Sequence, residues 1–346
     1  MNEVTTMASE SDRRRILVTG VADFAGSELL RELEEDERVE HVAGIDFREP
    51  RCAFKRADVM AIDLRSTGLK NLLEGMKPDT ILHLQRLRSD QEGVSPEEMH
   101  EINVMGTINL TATVQSLPFV KKFVLMSALH AYSPDPLDPA VLTEEIRPRT
   151  PAKTKYAGDL MEMEAAFEQL GRSGRKITLT RLRFADIIGP KVNNPISRYL
   201  RMPVVPTILG FDPRLQFCHE EDAVNVLRRA ALFDIPGLFN VAGDGVIYLS
   251  RALRLGGCVQ VPIAPPLAGA VFAALRTLGI ADIQPFHMLL LRYGRVIDNS
   301  RLKTRFGFRP RYSTVEAVLD LYGKSTLERA AWQEAEEPES EKVAAA

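Results

Sequence analysis

The chain has 346 residues, 45% of them hydrophobic, enough apolar material for one large or two ordinary domains and too much for global disorder. A formal net charge of −3 and a pI near 6.1 leave no basic surplus for holding nucleic acid. Cys52, Cys218 and Cys258 lie far apart without metal-type spacing, which suits a reducing compartment, argues against a disulfide framework and makes the cytoplasm the expected compartment.

The opening MNEVTTMASESDRRR is polar, and residues 1 to 12 are read as a disordered leader without a secretion segment. Ile16 to Val18 then form a short β-rich run that leads into Gly20 and Gly26, after which Leu29, Leu30 and Leu33 recur at helical spacing. HVAGIDF reads as the second strand, TILHLQ as the fourth, KKFVLMSA as the fifth and KITLTRLRF as the sixth. Helices are predicted over Met99 to Val114 and Ala152 to Leu170, with Pro148 and Pro151 at the start of the latter and Gly171 at its exit. This alternation predicts an α/β, Rossmann-like, doubly wound parallel sheet over residues 13 to 185. Beyond it, Pro195, Pro203, Pro206 and Pro213 break the chain into short pieces. Residues 186 to 325 are expected to form mostly a smaller C-terminal lobe, with a stretch near 215 to 245 returning to the sheet. Within that lobe the unbroken apolar run Leu267 to Leu275 is too short to span a bilayer and is expected as a buried or interfacial helix. Residues 326 to 346 read as an acidic, mobile tail.

Six ordered blocks resemble the extended short-chain dehydrogenase/reductase family, in its NAD-dependent epimerase/dehydratase branch, over roughly residues 14 to 325. VTGVADFAGSELL is similar to the family's glycine loop, IDL at 62 to 64 to its adenine-contacting block, and NVMGT at 103 to 107 to its fourth-helix signature. RFADIIGP at 183 to 190 resembles the sixth-strand block, and FCHEEDAV and LFNVAGDG resemble later sheet signatures. A narrower likeness, to bacterial and particularly actinobacterial proteins labelled sugar-nucleotide epimerases, is carried by PVVPTILGFDPRLQFCHEEDA and FGFRPRYST. The resemblance implies a nicotinamide dinucleotide, a small-molecule ligand of the nucleotide-sugar kind and room for a homodimer, with no membrane span and no metal.

In such a loop the strand end and helix N-terminus aim N–H groups at the pyrophosphate, and a central glycine lets the phosphates approach. Gly20 and Gly26 hold two of the three glycine positions, whereas Asp23, followed by Phe24 and Ala25, holds the middle one. A carboxylate beside two phosphates is costly unless a cation intervenes, so NAD is expected to bind weakly or not at all. As plain structure, Asp23 is a helix N-cap. Asp46 ends the second strand where an acid accepts ribose hydroxyls and favours NAD, although Arg48 can take a 2′-phosphate instead. Asp63 and Leu64 match the pair that holds adenine through a carboxylate and a backbone N–H, and Asn103 opens the fourth-helix signature. After His83 the family usually places small residues, but Gln85 and Arg86 stand here and crowd the cleft floor. Arg86 either pairs with a bound phosphate or neutralises Asp23 and takes the phosphate's place.

Family chemistry needs a Tyr, a Lys four residues on and a Ser or Thr on the same oxygen. Counting back from Tyr132 puts Ala128 at the hydroxyl position, with Ser127 one residue off on the opposite strand face. Spacing to Glu164 puts Tyr156 at the catalytic position and Leu160 where the lysine belongs, while Lys153 lies on the wrong side of Tyr156. An unassisted phenol of pKa about 10 is a poor base at neutral pH. Asp186 stands where sugar-nucleotide enzymes commonly present Asn, and an ionised carboxylate cannot donate. Arg292 and Arg295 offer phosphate contacts from the second lobe. Two functions stay open: an NAD(P)-binding epimerase, dehydratase or reductase of altered chemistry with Tyr156 as acid/base, or a non-catalytic ligand-sensing or assembly protein on the same fold.

Overall fold

The computed structural model describes residues 13–50, 53–88, 94–132, 138–148, 150–280 and 283–324. The expected leader and tail, and Cys52, lie outside the described residues.

Six strands come from the N-terminal half: β1 (Arg14–Thr19), β2 (Val39–Asp46), β3 (Asp58–Ala61), β4 (Thr80–His83), β5 (Lys122–Ala128) and β6 (Thr178–Phe184). The C-terminal half adds β7 (Asp186–Ile188), β8 (Val204–Ile208), β9 (Arg214–Leu215), β10 (Phe217–His219), β11 (Gly237–Val241), β12 (Ile247–Tyr248) and β13 (Val259–Ile263). Seven of them form one sheet in the order β11-β6-β5-β4-β1-β2-β3, every neighbouring pair parallel. The order reverses between β1 and β4, and that switch point opens a crevice at the carboxyl ends of the strands. The predicted return to the sheet is β11, which pairs with β6. The remaining strands pair two by two as β7 with β10, β8 with β13 and β9 with β12.

Successive side chains of a strand point to opposite faces, and both faces here are covered. Ile16 and Val18 of β1, with Val124 and Met126 of β5, enter one core cluster; Leu17, Phe123 and Leu125 enter the other. The first face is covered by α1 (Phe24–Glu34), which packs on a helix of the second half. The second carries α2 (Leu69–Met76) and a continuous helical stretch made of α3 (Pro96–His100), a π turn (Glu101–Met105) and α4 (Gly106–Ser116). This stretch is the helix predicted over Met99 to Val114, extended at both ends. Beside α4 lies α5 (Lys155–Arg172), whose start is capped by the Thr154 hydroxyl accepting from the Ala157 N–H at 3.2 Å. Gly171, expected to end this helix, sits inside its last turn, and Ser173 follows as the cap.

The rest of the chain supplies α6 (Pro195–Leu200), α7 (Glu220–Leu232), which is the partner of α1, α8 (Leu249–Leu255), α9 (Pro265–Thr277), α10 (Pro285–Tyr293), α11 (Ser300–Thr304) and α12 (Thr314–Leu321). The apolar run expected as a buried or interfacial helix is α9, and it lies at the surface: only Ala268 and Phe272 are buried, and Leu267 is 60% exposed. No helix among the described residues is long and apolar enough to cross a membrane.

Candidate functional site

The glycine loop follows β1 at the switch point. Gly20 has φ +81°, and a Cβ there would stand 2.5 Å from the Gln85 backbone nitrogen; a Cβ on Gly26 would stand 2.2 Å from the Gly20 carbonyl oxygen. The close fit of β1, β4 and α1 therefore demands both glycines whatever the loop binds. Asp23 is the N-cap residue of α1 with extended backbone, yet its side chain makes no cap bond. Its Oδ1 accepts instead from Arg48 Nη2 at 3.0 Å. The cation that neutralises Asp23 is Arg48, not Arg86.

Arg48 lies over the end of β2, stacked on the Phe47 ring at 4.9 Å and 3.6 Å from Asp46 Oδ1. Asp46 is 1% exposed and bonded on both oxygens, to the Ala22 N–H at 3.0 Å and the Arg48 N–H at 3.1 Å. Burial pushes its carboxyl up from the usual range. In this arrangement Asp46 ties the glycine loop to β2. Asp63 is held by Arg65, whose Nη2 donates to Oδ2 at 2.6 Å, and that bond lowers its carboxyl. Leu64 is buried, and its carbonyl accepts from Asn109 Nδ2 at 2.6 Å.

Asn103 sits in the π turn, fully buried, and works as a clamp on the stretch that follows β4. Its Oδ1 accepts from the Leu87 N–H at 2.7 Å, and its Nδ2 donates to the Leu87 carbonyl at 3.0 Å and to Asp159 Oδ2 at 3.2 Å. That clamp places Arg86 and Arg88. With Arg48 they give the open cleft three guanidinium groups against one carboxylate, Asp23. The cleft encloses about 870 Å³ of space continuous with solvent, between Gly20 and the Asp23–Gly26 turn on one side and Met126, Ile187 and Val192 to Pro195 on the other. Asp46, Asp63 and Tyr156 do not line it.

At the other end Tyr156, in the first turn of α5, is 3% exposed, and its hydroxyl has no hydrogen-bond partner among the described residues. Phe286 of α10 covers its ring at 4.6 Å, and the His130 ring stands 5.9 Å away. Burial pushes the phenol up, opposed by the charge of Arg86. Ala128 is apolar and buried, and Leu160 packs in the core with Phe123 and Phe167. Ser127, expected on the opposite strand face from Ala128, turns to the same helix α5: its hydroxyl donates to Glu164 Oε1 at 2.6 Å, on a buried carboxylate that also pairs with Arg183. Ala128 packs in the core cluster that α5 covers, so strict alternation does not hold at the end of β5. Tyr132 donates to Asn240 Oδ1 at 2.9 Å. Arg86 reaches across this end, with Nη1 donating to the Ser127 carbonyl at 3.0 Å.

Three residues of this end escaped the sequence reading. His130 Nε2 lies 3.4 Å from Asp186 Oδ1, while His130 Nδ1 and Asp186 Oδ2 have no partner among the described residues. Burial raises the Asp186 carboxyl and the His130 charge more than offsets it, leaving it at about 2. His130 is two residues beyond Ala128, so the same block contained the signal; Phe286 and His287 carried none. Arg292 and Arg295 do come together, in a second pocket with Arg214, where Arg295 pairs with Asp138 at 2.8 Å and Arg292 stacks on Phe211 at 5.2 Å. Arg214 was missed because a lone arginine in a loop has no pattern.

A nicotinamide dinucleotide fits this chain at one end only. The glycine cradle, the start of α1 and the three arginines suit a pyrophosphate. A nicotinamide ring facing Tyr156 needs the ground that Arg86 and Phe286 fill, so the residues present do not fit that half.

The family model for the NAD dependent epimerase/dehydratase family matches residues 16–242. An uncharacterized protein of Mycobacterium tuberculosis (strain ATCC 25618 / H37Rv) is 33% identical over 311 residues, 89% of this chain and 83% of that protein. An uncharacterized epimerase/dehydratase of Staphylococcus saprophyticus is 25% identical over 231 residues, 62% of this chain and 69% of that one. Among solved structures, the UDP-glucuronic acid 4-epimerase from Bacillus cereus in complex with NAD superposes with TM-score 0.67 at 19% identity, over 89% of this chain and 97% of that one. The UDP-glucose 4-epimerase with UDP-glucose from Thermotoga maritima gives TM-score 0.68 at 20% identity, over 90% and 99%. At such identity the likeness is one of fold. With its seven-stranded sheet and glycine loop, the chain belongs to the NAD dependent epimerase/dehydratase family.

Proposed function

We propose that this family member binds a phosphorylated nucleotide in the switch-point cleft and does not carry out tyrosine-based epimerase or dehydratase chemistry, which makes it a ligand-sensing or assembly protein on an enzyme fold. The observation that carries this reading is the separation of the two ends. Three arginines line the open cleft, whereas the Tyr156 hydroxyl lies outside it beneath Phe286. Ala128 and Leu160 add two apolar groups where proton transfer needs polar ones. NAD then binds weakly, and Tyr156 is a packing residue. Isothermal titration with nucleotides tests the binding, and an assay of UDP-glucose and UDP-galactose interconversion tests the chemistry. No measurable nucleotide affinity, or turnover that Tyr156→Phe abolishes, overturns it.

A second reading, an enzyme of altered chemistry, is favoured by the Tyr156 hydroxyl, His130 Nδ1 and Asp186 Oδ2. Among the described residues these are three buried polar atoms without partners around one spot, as expected of a site awaiting a ligand. The exposed Met105 and Ile108 on the α4 side suit a second copy, which sedimentation measures, and a reducing, cytoplasmic setting suits the cysteine usage.

A further inference from the structure

We infer that Arg86 shortens the ligand, so that the cleft takes a nucleoside diphosphate, its phosphates on Arg48, Arg86 and Arg88, and rejects the full dinucleotide that the fold family implies. This rests on the reading of the cleft as a phosphate site.

Arg86 is buried, and its charge acts on both Asp23 at the glycine loop and Tyr156 at the far end. Its side chain lines the cleft together with Asp23 and reaches the Ser127 carbonyl, ground that a nicotinamide ribose has to cover. Its Nη1 is anchored on the Ser127 carbonyl of β5, beside Ala128, which is the strand end a hydride-accepting ring has to face. The backbone beside it is fixed on both sides of the Leu87 peptide groups by Asn103, itself held by Asp159. Arg86 is therefore built into its place rather than resting there.

The same side chain calls for an anion. Among the described residues Arg86 has no carboxylate within ion-pair distance, because Asp23 is already taken by Arg48. A guanidinium held in a partly dry cleft without an acid partner carries a desolvation cost that a phosphate group removes through paired N–H donors. A terminal phosphate ends where Arg86 begins. A second nucleoside has to displace Arg86 from Ser127 and Phe286 from Tyr156.

Titration calorimetry on the native chain with ADP, NAD⁺ and inorganic pyrophosphate as probes decides the matter. ADP is expected to bind at least about tenfold more tightly than NAD⁺ and pyrophosphate. In Arg86→Ala, ADP weakens and NAD⁺ draws level with it or overtakes it. Scanning calorimetry checks that this variant is folded, and the native comparison decides without it. NAD⁺ binding as tightly as ADP to the native chain overturns the inference and leaves the phosphate-site reading standing. Pyrophosphate matching ADP overturns the nucleoside part, and no binding of any probe overturns both.

Discussion

The glycine end and the tyrosine end of the molecule are shaped by different constraints. At the glycine end Gly20 and Gly26 remain because any Cβ would strike backbone, and the one change, Asp23, is answered by Arg48. At the tyrosine end the contacts are made by side chains: Ala128 and Leu160 are buried, Phe286 covers the Tyr156 ring and Arg86 donates to the Ser127 carbonyl. The retained glycines thus report packing whatever the loop binds, and a motif match does not separate that role from binding.

The largest expected effect concerns the polar network behind the tyrosine end. Glu164 is buried and paired with Arg183, so Glu164→Ala leaves a buried guanidinium uncompensated and should cost about 3–5 kcal/mol by denaturant unfolding. A loss under 1 kcal/mol would show that the Glu164–Arg183 pair does not hold this end of the fold together.

Phe286→Ala removes the cover over Tyr156. A cost of about 3 kcal/mol is expected, together with a Tyr156 phenol that titrates nearer its ordinary value by ultraviolet absorbance. If the variant gains NAD⁺ affinity, closure rather than charge separates the ends.

A third measurement is the acid limb of stability. Burial holds His83 and His287 neutral down to about pH 3, whereas the unfolded chain protonates both near 6.5. The unfolded state therefore binds more protons throughout that window, and stability falls as pH drops below 6.5. Between pH 7 and 5 the loss should be about 2 kcal/mol per histidine. His287→Gln should remove its share, and a flat profile over that range would show that the tyrosine end is wet.

The smallest effect falls on the glycine end. Because Arg48 already offsets the Asp23 carboxylate, Asp23→Gly should strengthen ADP binding by only about 1 kcal/mol, largely by freeing Arg48 for phosphate. Weaker binding after the substitution would mean that Asp23 holds Arg48 in its useful position.

The local pattern was legible in the sequence: β1, the glycine turn and α1, and the strand β5 and helix α5 that carry Ala128 and Leu160. Each follows from strand or helix periodicity over a few residues, which the backbone obeys wherever the layers pack. Even Asp23 at the start of α1 was placed correctly, although its carboxylate turned out to serve Arg48. What the tertiary structure alone decided is which distant side chains meet. Phe286 reaches Tyr156 only because α10, from near the end of the chain, is brought back against the start of α5, and His130 meets Asp186 only because β5 and β6 are neighbours in the sheet. Such contacts arise from the close packing of whole elements, whose positions depend on every layer at once. No stretch of chain short enough to show a pattern contains them.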